Sequence, residues 1–320
     1  MKAIRIYEFG GPEVMKLEEV ERPVPQSDEI LVKMYASGVN PADYVVRQGG
    51  NELLKPFLKL PLGLGLDGAG EVEEIGSDVT AFKKGEKVYG IPNLLQGTYA
   101  EFIAAKANQF ASMPRTISYN EAGAIPSCAL MAWNGMDLGK VSSGQRVLIH
   151  GAAGGIGSLA LQFAKSKGAY VIGTASGRNS TFLKQLGADE VIDYTDENFA
   201  GLLKGIDVVF DASPVFNEGA RMIMAGALND GGRFVSVQIP YPFNEEFLDI
   251  LAKKQGEAKM IRRDLAVAQS LTDIAKLIEE GKVKVVISKV YPMEKAAEAH
   301  AELETKHVRG KIALEIRKEK

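Results

Sequence analysis

The spacing of apolar and polar positions changes twice along the chain. Over residues 1 to about 122, Ile30, Val32, Met34 and Ala36 alternate with polar or exposed partners, the period of a strand with one buried face. Glycine or proline clusters punctuate this stretch at 10–12, 23–25, 38–41, 49–50, 61–65, 68–70 and 90–92. Short strands at such intervals predict an all-β sandwich or barrel. Lys83-Lys84-Gly85-Glu86-Lys87 reads as a solvated turn before a strand at Val88-Tyr89. From about 123 to 263, short apolar runs alternate with helical stretches. Strands are expected at Val147–Ile149, Tyr170–Ile172, Glu190–Ile192, Asp207–Phe210 and Arg233–Val237, with helices such as 156–167 and Glu218–Leu228 between them. That alternation predicts a parallel, doubly wound α/β sheet with right-handed crossovers. Residues 264–320 open with a long helix that carries Leu265, Leu271, Ile274, Leu277 and Ile278 on one face. A strand at 284–291, a helix at 293–305 and a strand at 311–316 follow. A strand-rich tail can complete the first domain. The expected domains are therefore 1–122 with 264–320, and 123–263.

Composition narrows the class. A length of 320 residues suits about two domains. Thirty-eight basic against 41 acidic residues leave a net charge of −3, which gives no electrostatic footprint for nucleic acid. A single cysteine, Cys128, excludes an internal disulfide and a four-cysteine zinc site. The charged start MKAIRIYEFGGPEV does not read as a signal peptide, and no apolar run approaches the ~18 residues of a membrane span. The expectation is a soluble, reduced, cytoplasmic protein. Glycine stands at 34 of 320 residues, about 11% against a usual ~7%, so many glycines are expected at turns or ligand-facing loops.

One such turn has the right surroundings. GAAGGIG (151–157) lies between a strand at 146–150 and a helix at 156–167, with the next strand at 169–173. This is the βαβ setting that a dinucleotide fingerprint requires. Gly151, Gly154, Gly155, Ile156 and Gly157 form the candidate cofactor turn. Gly154 lets the backbone approach a pyrophosphate and Gly157 lets helix and strand pack closely, while the helix N-terminus offers N–H groups to the phosphates. The alternative is an ordinary glycine-rich β–α turn, and Ala152 departs from the standard string. Between Ala169 and Ala188 the chain has no acid to bind a ribose 2′-hydroxyl; it offers Ser176, Arg178 and Asn179. Arg178 can pair with a 2′-phosphate, so NADPH is expected over NADH. The alternative is a solvated loop arginine.

Longer strings carry a resemblance. SGVNPADYVVRQG (37–49), GAGEVEEIGSDVTAFKKGEKVYG (68–90), GTYAEF (97–102), VLIHGAAGGIGSLALQFAK (147–165), LGADEVIDY (186–194) and HVRGKIALEI (307–316) span the chain. In order and spacing the chain resembles the zinc-independent quinone oxidoreductase (zeta-crystallin-like) branch of the medium-chain dehydrogenase/reductase superfamily. Ala152 is that branch's habit. The resemblance implies a GroES-like β-barrel catalytic domain built from both chain ends, an inserted Rossmann NADP-binding domain, a cleft between them and a homodimer. It also implies cofactor contacts at Thr174, Tyr194, Met131 (where relatives usually have Thr), Val237 and Ile239. Lys311 could reach the cofactor from the barrel side; the alternative is a strand-edge charge that discourages pairing.

The same comparison bears on metal. Zinc-containing relatives place Cys two residues after the glycine at 38 and a His-Glu pair where this chain has Leu66-Asp67. Here the positions hold Asn40 and Leu66, which supply neither thiolate nor imidazole. The lobe with four structural cysteines is missing. Cys128 falls at the third ligand position without partners and reads as a small buried hydrophobe. His150 reads as a packed, hydrogen-bonded residue and His300 as part of a surface helix. No metal is expected. Without a Lewis acid, the suitable acceptors are activated ones: quinones and α,β-unsaturated carbonyls, whose developing oxygen charge needs hydrogen-bond donors. Asn40 and Tyr44 match positions lining the family's substrate cleft and are the catalytic candidates. For Tyr44 the alternative is a core aromatic at the barrel edge, and Val45 stands where many relatives have an aromatic. Asp67 reads as structural rather than as a base. The expected activity is NADPH-dependent reduction of a quinone or enone. Its rivals are an enoyl-thioester reductase and a low-turnover, crystallin-like NADPH-binding protein. A zinc alcohol dehydrogenase is disfavoured by Asn40 and Leu66.

Overall fold

In the computed structural model, residues 1–51, 54–92, 97–261 and 267–319 are described. The chain forms two compact units. One comprises Met1–Ser127, Ala266–Glu280 and Val285–Lys320; the other comprises Cys128–Leu265 and Gly281–Lys284.

The first unit is mainly β. Strands β1 (Lys2–Ile6), β2 (Lys16–Glu19), β3 (Glu29–Val39), β4 (Leu62–Gly63), β5 (Asp67–Ile75), β6 (Lys87–Gly90), β7 (Phe102–Lys106) and β8 (Phe110–Ser112) come from its N-terminal part. In β3 the alternation gives way to fuller burial: Leu31 is enclosed along with Ile30, Val32, Met34 and Ala36. β3 is a central strand, paired with β5 along its length and also with β7. The segment is not purely β. A helix, Pro41–Arg47, follows β3 directly. Asn40 precedes it in extended conformation, Pro41 takes its first position, and Asp43 Oδ2 accepts the Asn40 N–H at 2.7 Å. These are helix-start signals, and they override the strand pattern locally.

The second unit carries β9 (Arg146–His150), β10 (Tyr170–Ala175), β11 (Glu190–Asp193), β12 (Ile206–Asp211), β13 (Leu228–Ser236) and β14 (Glu257–Met260). All pair in parallel, in the order β11-β10-β9-β12-β13-β14. The order reverses between β9 and β12, the switch point at which doubly wound sheets bind ligands. One of its hydrophobic cores gathers Leu148, Ile172, Val209, Phe234 and Phe247.

The chain then returns to the first unit with β15 (Ile287–Pro292) and β16 (Lys311–Glu315), which complete a seven-stranded sheet through β16 against β3. Three expectations change here, and one alternative falls. The strand expected at 284–291 begins only at Ile287, because the Gln162 side chain bonds both Lys284 N and Lys284 O and takes that backbone out of any ladder. The helix expected at 293–305 starts as a 3-10 turn, Met293–Lys295, and is regular over Ala296–Glu304. His300 is not on a surface: it is fully buried, with both ring nitrogens bonded. Lys311 is not a strand-edge charge, because β16 lies between β15 and β3 and its ammonium points inward. Leu265, expected on the helix that spans Val267–Glu279, lies outside the described residues.

Candidate functional site

The dinucleotide candidates lie at the C-terminal ends of β9 and β10. Gly151 leaves β9 with φ +75, a left-handed conformation that favours glycine. The helix Gly155–Ser166 begins after Gly154, and its first turn bonds Ser158 N to Gly154 O. The N–H groups of Gly155, Ile156 and Gly157 precede that bond, so they form the positive end of the helix dipole. The two inner glycines differ in what surrounds them. A side chain at Gly154 would meet only Gly151 O, at 3.6 Å. One at Gly157 would press to 2.3 Å from Gly151 O and 2.7 Å from Ala152 Cα. Gly157 is therefore a packing glycine, and Gly154 opens a space that no neighbouring side chain fills. A pyrophosphate cradle needs that pair of properties.

Thr174, on β10, joins the turn. Its carbonyl accepts Ala152 N–H at 3.0 Å and its hydroxyl accepts Gly151 N–H at 3.4 Å. Ser176 follows that strand directly, with Asn179 Nδ2 donating to its hydroxyl at 3.2 Å. Arg178 stands exposed on the 3-10 turn Gly177–Asn179. An acid does reach this turn, from a strand outside the segment read for it. Asp193, at the end of β11, has its carboxylate 2.8 Å from where a Gly177 side chain would begin. Bonds from Thr195, and one from Gly177, hold Asp193 below the usual carboxylate range. Tyr194 follows it, half exposed. On the far side of β9, Val237 N–H donates to Asp211 O at 3.1 Å, and Ile239 is 53% exposed. Met131 is half-buried in the helix Pro126–Leu138.

In the other unit, Asn40 enters a buried polar cluster. Asn40 Oδ1 accepts from Lys311 Nζ at 2.5 Å, and Asn40 Nδ2 donates to Asp67 Oδ2 at 3.0 Å. Ser127 secures the carboxylate twice, from its N–H at 2.8 Å and its hydroxyl at 2.8 Å. Lys311 Nζ also donates to Val39 O at 3.1 Å and lies 4.0 Å from Asp67. Burial pushes the Asp67 carboxyl up, while Lys311, Asn40 and Ser127 pull it back. Asn40 is thus oriented by charges on both of its ends. Tyr44, one turn along the helix Pro41–Arg47, is half-buried. Burial, with Glu304 second, raises its phenol, so it stays protonated and able to donate.

Sequence reasoning named Asn40, Lys311 and Asp67 separately and did not see that they meet. It passed over Ser127 and Asp43. For Asp43 the signal was present in Asn40-Pro41-Ala42-Asp43, a helix start with an acid at its third position.

Comparison with known proteins gives the lineage. Residues 26–115 match the alcohol dehydrogenase GroES-like domain, and residues 186–314 match the zinc-binding dehydrogenase family. A quinone oxidoreductase of Mus musculus is 36% identical over 95% of this chain and 94% of its own. The chain belongs to the quinone oxidoreductase family of the medium-chain dehydrogenase/reductase superfamily. The solved quinone oxidoreductase of Coxiella burnetii superposes with a TM-score of 0.88 at 34% identity, covering 99% of each chain. The quinone oxidoreductase of Escherichia coli, solved in complex with NADPH, gives 0.82 at 29% identity, covering 98% of this chain and all of that one. The chain is an oxidoreductase of this family with a nicotinamide-cofactor fold. Among the described residues, no group of three or more His, Cys, Asp or Glu is placed to hold a metal ion, and no helix is long and apolar enough to cross a membrane.

Proposed function

We propose that this quinone oxidoreductase relative binds NADPH and reduces a quinone or an α,β-unsaturated carbonyl without zinc. The observation that carries the reading is the turn at 151–157, at the sheet's switch point, with Gly154 open above and Gly157 packed beneath. Gly154 through Gly157 would hold the pyrophosphate through backbone N–H groups, and Arg178 would pair with the 2′-phosphate. Thr174, Ser176, Tyr194, Met131, Val237, Ile239 and Lys311 complete the proposed contacts. Bound there, NADPH supplies the hydride. Tyr44 and Asn40 are the proposed donors to the acceptor's oxygen, where negative charge develops on a conjugated system. Tyr44 is the one able to give a proton, because its phenol stays protonated at neutral pH. Its hydrogen bond does for this oxygen what a metal does in relatives that hold one.

The test is NADPH oxidation by the purified chain against benzoquinone, naphthoquinone, alkenals and crotonyl-CoA, with NADH in parallel. Turnover of a quinone or alkenal with NADPH preferred is the expected result. Preference for crotonyl-CoA would move the chain to the enoyl-thioester reductases. NADPH binding with no turnover on any acceptor would favour the crystallin-like reading.

A further inference from the structure

His150 is the last residue of β9, one position before the glycine turn. Four neighbouring strands carry polar residues at one register level: Thr174 pairs with His150, His150 with Asp211, and Asp211 with Ser236. All four are buried. Within this row His150 touches what the turn depends on. Its Nδ1 lies 2.7 Å from Thr174 Oγ1. Gly151 N–H can only donate, and it points at the same hydroxyl from 3.4 Å. The hydroxyl can accept twice, but among the described residues His150 Nδ1 is the one acceptor within reach of its own proton, so we assign the Thr174 O–H as donor to Nδ1 and the ring proton to Nε2. The edge-to-face ring of Tyr194 sits 6.4 Å from the imidazole, at 78°. Thr174 and Tyr194 thus meet on the His150 side chain, and Gly151 is joined to it through the Thr174 hydroxyl.

We infer that His150 is a positioning residue of the dinucleotide site: as a neutral acceptor it orients the Thr174 hydroxyl, which fixes the Gly151 N–H, and it backs the Tyr194 ring. The inference rests on reading the turn at 151–157 as the NADPH site. The charged groups around the imidazole agree with a neutral ring. Asp211 on the adjacent strand raises its basicity, burial lowers it by more, and the net direction is downward. Protonation would remove the acceptor that Thr174 needs.

The experiment is NADPH binding by the full chain, followed by nucleotide fluorescence, in wild type, His150→Asn, His150→Gln, Thr174→Val and the His150→Gln/Thr174→Val double variant. An asparagine oxygen can stand where Nδ1 stands; a glutamine amide reaches to the place of Nε2 instead. His150→Asn should bind within about threefold of wild type, and His150→Gln and Thr174→Val should each weaken binding about tenfold, the cost of one buried hydrogen bond. The double variant should be no weaker than Thr174→Val alone, since the two act as one unit. Equal affinities for the Asn and Gln variants, or losses that multiply to about a hundredfold in the double variant, overturn the inference. Should His150→Gln fail to fold, Thr174→Val and the ring nitrogen-15 shifts of wild-type His150 carry the test. Protonated Nδ1, or Thr174→Val binding as tightly as wild type, overturns it. A wild-type chain that does not bind NADPH overturns the reading of the turn itself, which is a separate and recognisable outcome.

Discussion

A buried chain of hydrogen bonds in the first unit leads to two opposed pH dependences of stability. Arg47 only donates, so His300 Nδ1 accepts from it at 2.9 Å. Nε2 then carries the ring proton toward Tyr99 Oη at 3.1 Å, and the Tyr99 hydroxyl donates to Asp43 Oδ2 at 3.0 Å. Burial, with the Arg47 guanidinium second, pushes His300 from 6.5 down to about 3. Burial pushes Asp43 from 3.8 up to about 7, against bonds from Asn40 N–H and Tyr99. At about 1.4 kcal/mol per tenfold step, each displacement is worth about 4–5 kcal/mol. The signs differ. Folded Asp43 holds its proton more tightly than the unfolded chain does. Its contribution is therefore fully present below about pH 4 and is lost as pH rises to about 7. Unfolded His300 takes up a proton that the folded state refuses, so its contribution is lost as pH falls from about 6.5 toward about 3. Between about pH 4 and 6.5 the two slopes largely cancel in the wild type. Asp43→Asn should unmask the His300 slope, with stability rising by up to about 1.4 kcal/mol per pH unit. His300→Gln, which keeps an N–H toward Tyr99, should unmask the Asp43 slope and fall at a similar rate. Scanning calorimetry of the full chain across about pH 4.5 to 7.5 would read these as Tm slopes of opposite sign, each about 2–4 °C per pH unit. Parallel profiles in the wild type and both variants would refute the assignment.

The remaining predictions concern the two candidate centres. Arg178→Ala should raise the Michaelis constant for NADPH about tenfold or more while leaving that for NADH nearly unchanged, and equal effects would remove Arg178 from the 2′-phosphate. Gly154→Val should abolish NADPH binding in titration with little change in Tm, because the space it fills is otherwise open. Lys311→Met strands the buried Asp67 carboxylate and should cost about 3–5 kcal/mol in denaturant unfolding. Adding Asp67→Asn should restore part of that, and a double variant weaker than Lys311→Met would refute the pairing. Tyr44→Phe should slow acceptor reduction about tenfold or more with NADPH affinity intact, and unchanged turnover would make Tyr44 a packing residue.

What the sequence disclosed depended on how far away each residue's partner lies. The cofactor turn was legible because its chemistry requires side chains to be missing. A glycine string between a strand and a helix shows that locally, and the structure then separates the open Gly154 from the packed Gly157. The doubly wound sheet was legible in five of its six strands, read from short apolar runs beside helical stretches; β14, Glu257–Met260, reads EAKM and gives no such signal. His300 was misread because its alanine-rich helix gives no sign of Arg47, 253 positions away, or Tyr99, 201 away. The strand-edge alternative for Lys311 fails for a similar reason: its bond to Asn40 spans 271 positions. Yet one global signal was available for Lys311. Asp67 sits in a near-continuous apolar and glycine run, Leu62 to Gly70, which marks it as buried. A buried carboxylate needs a cation or several donors. With Asn40 and Leu66 in place of a thiolate and an imidazole, no metal ligand set is available at those positions to bring that charge. The cation had to come from a lysine or arginine on another strand of the same sheet. Of the two chain ends that build this unit, the C-terminal strand supplies Lys311, whose ammonium lies 4.0 Å from Asp67 with Asn40 bonded to both. Charge balance around one residue can therefore locate a contact that periodicity cannot. It also explains why Asn40, the residue between the two charges, has a fixed orientation rather than a free amide.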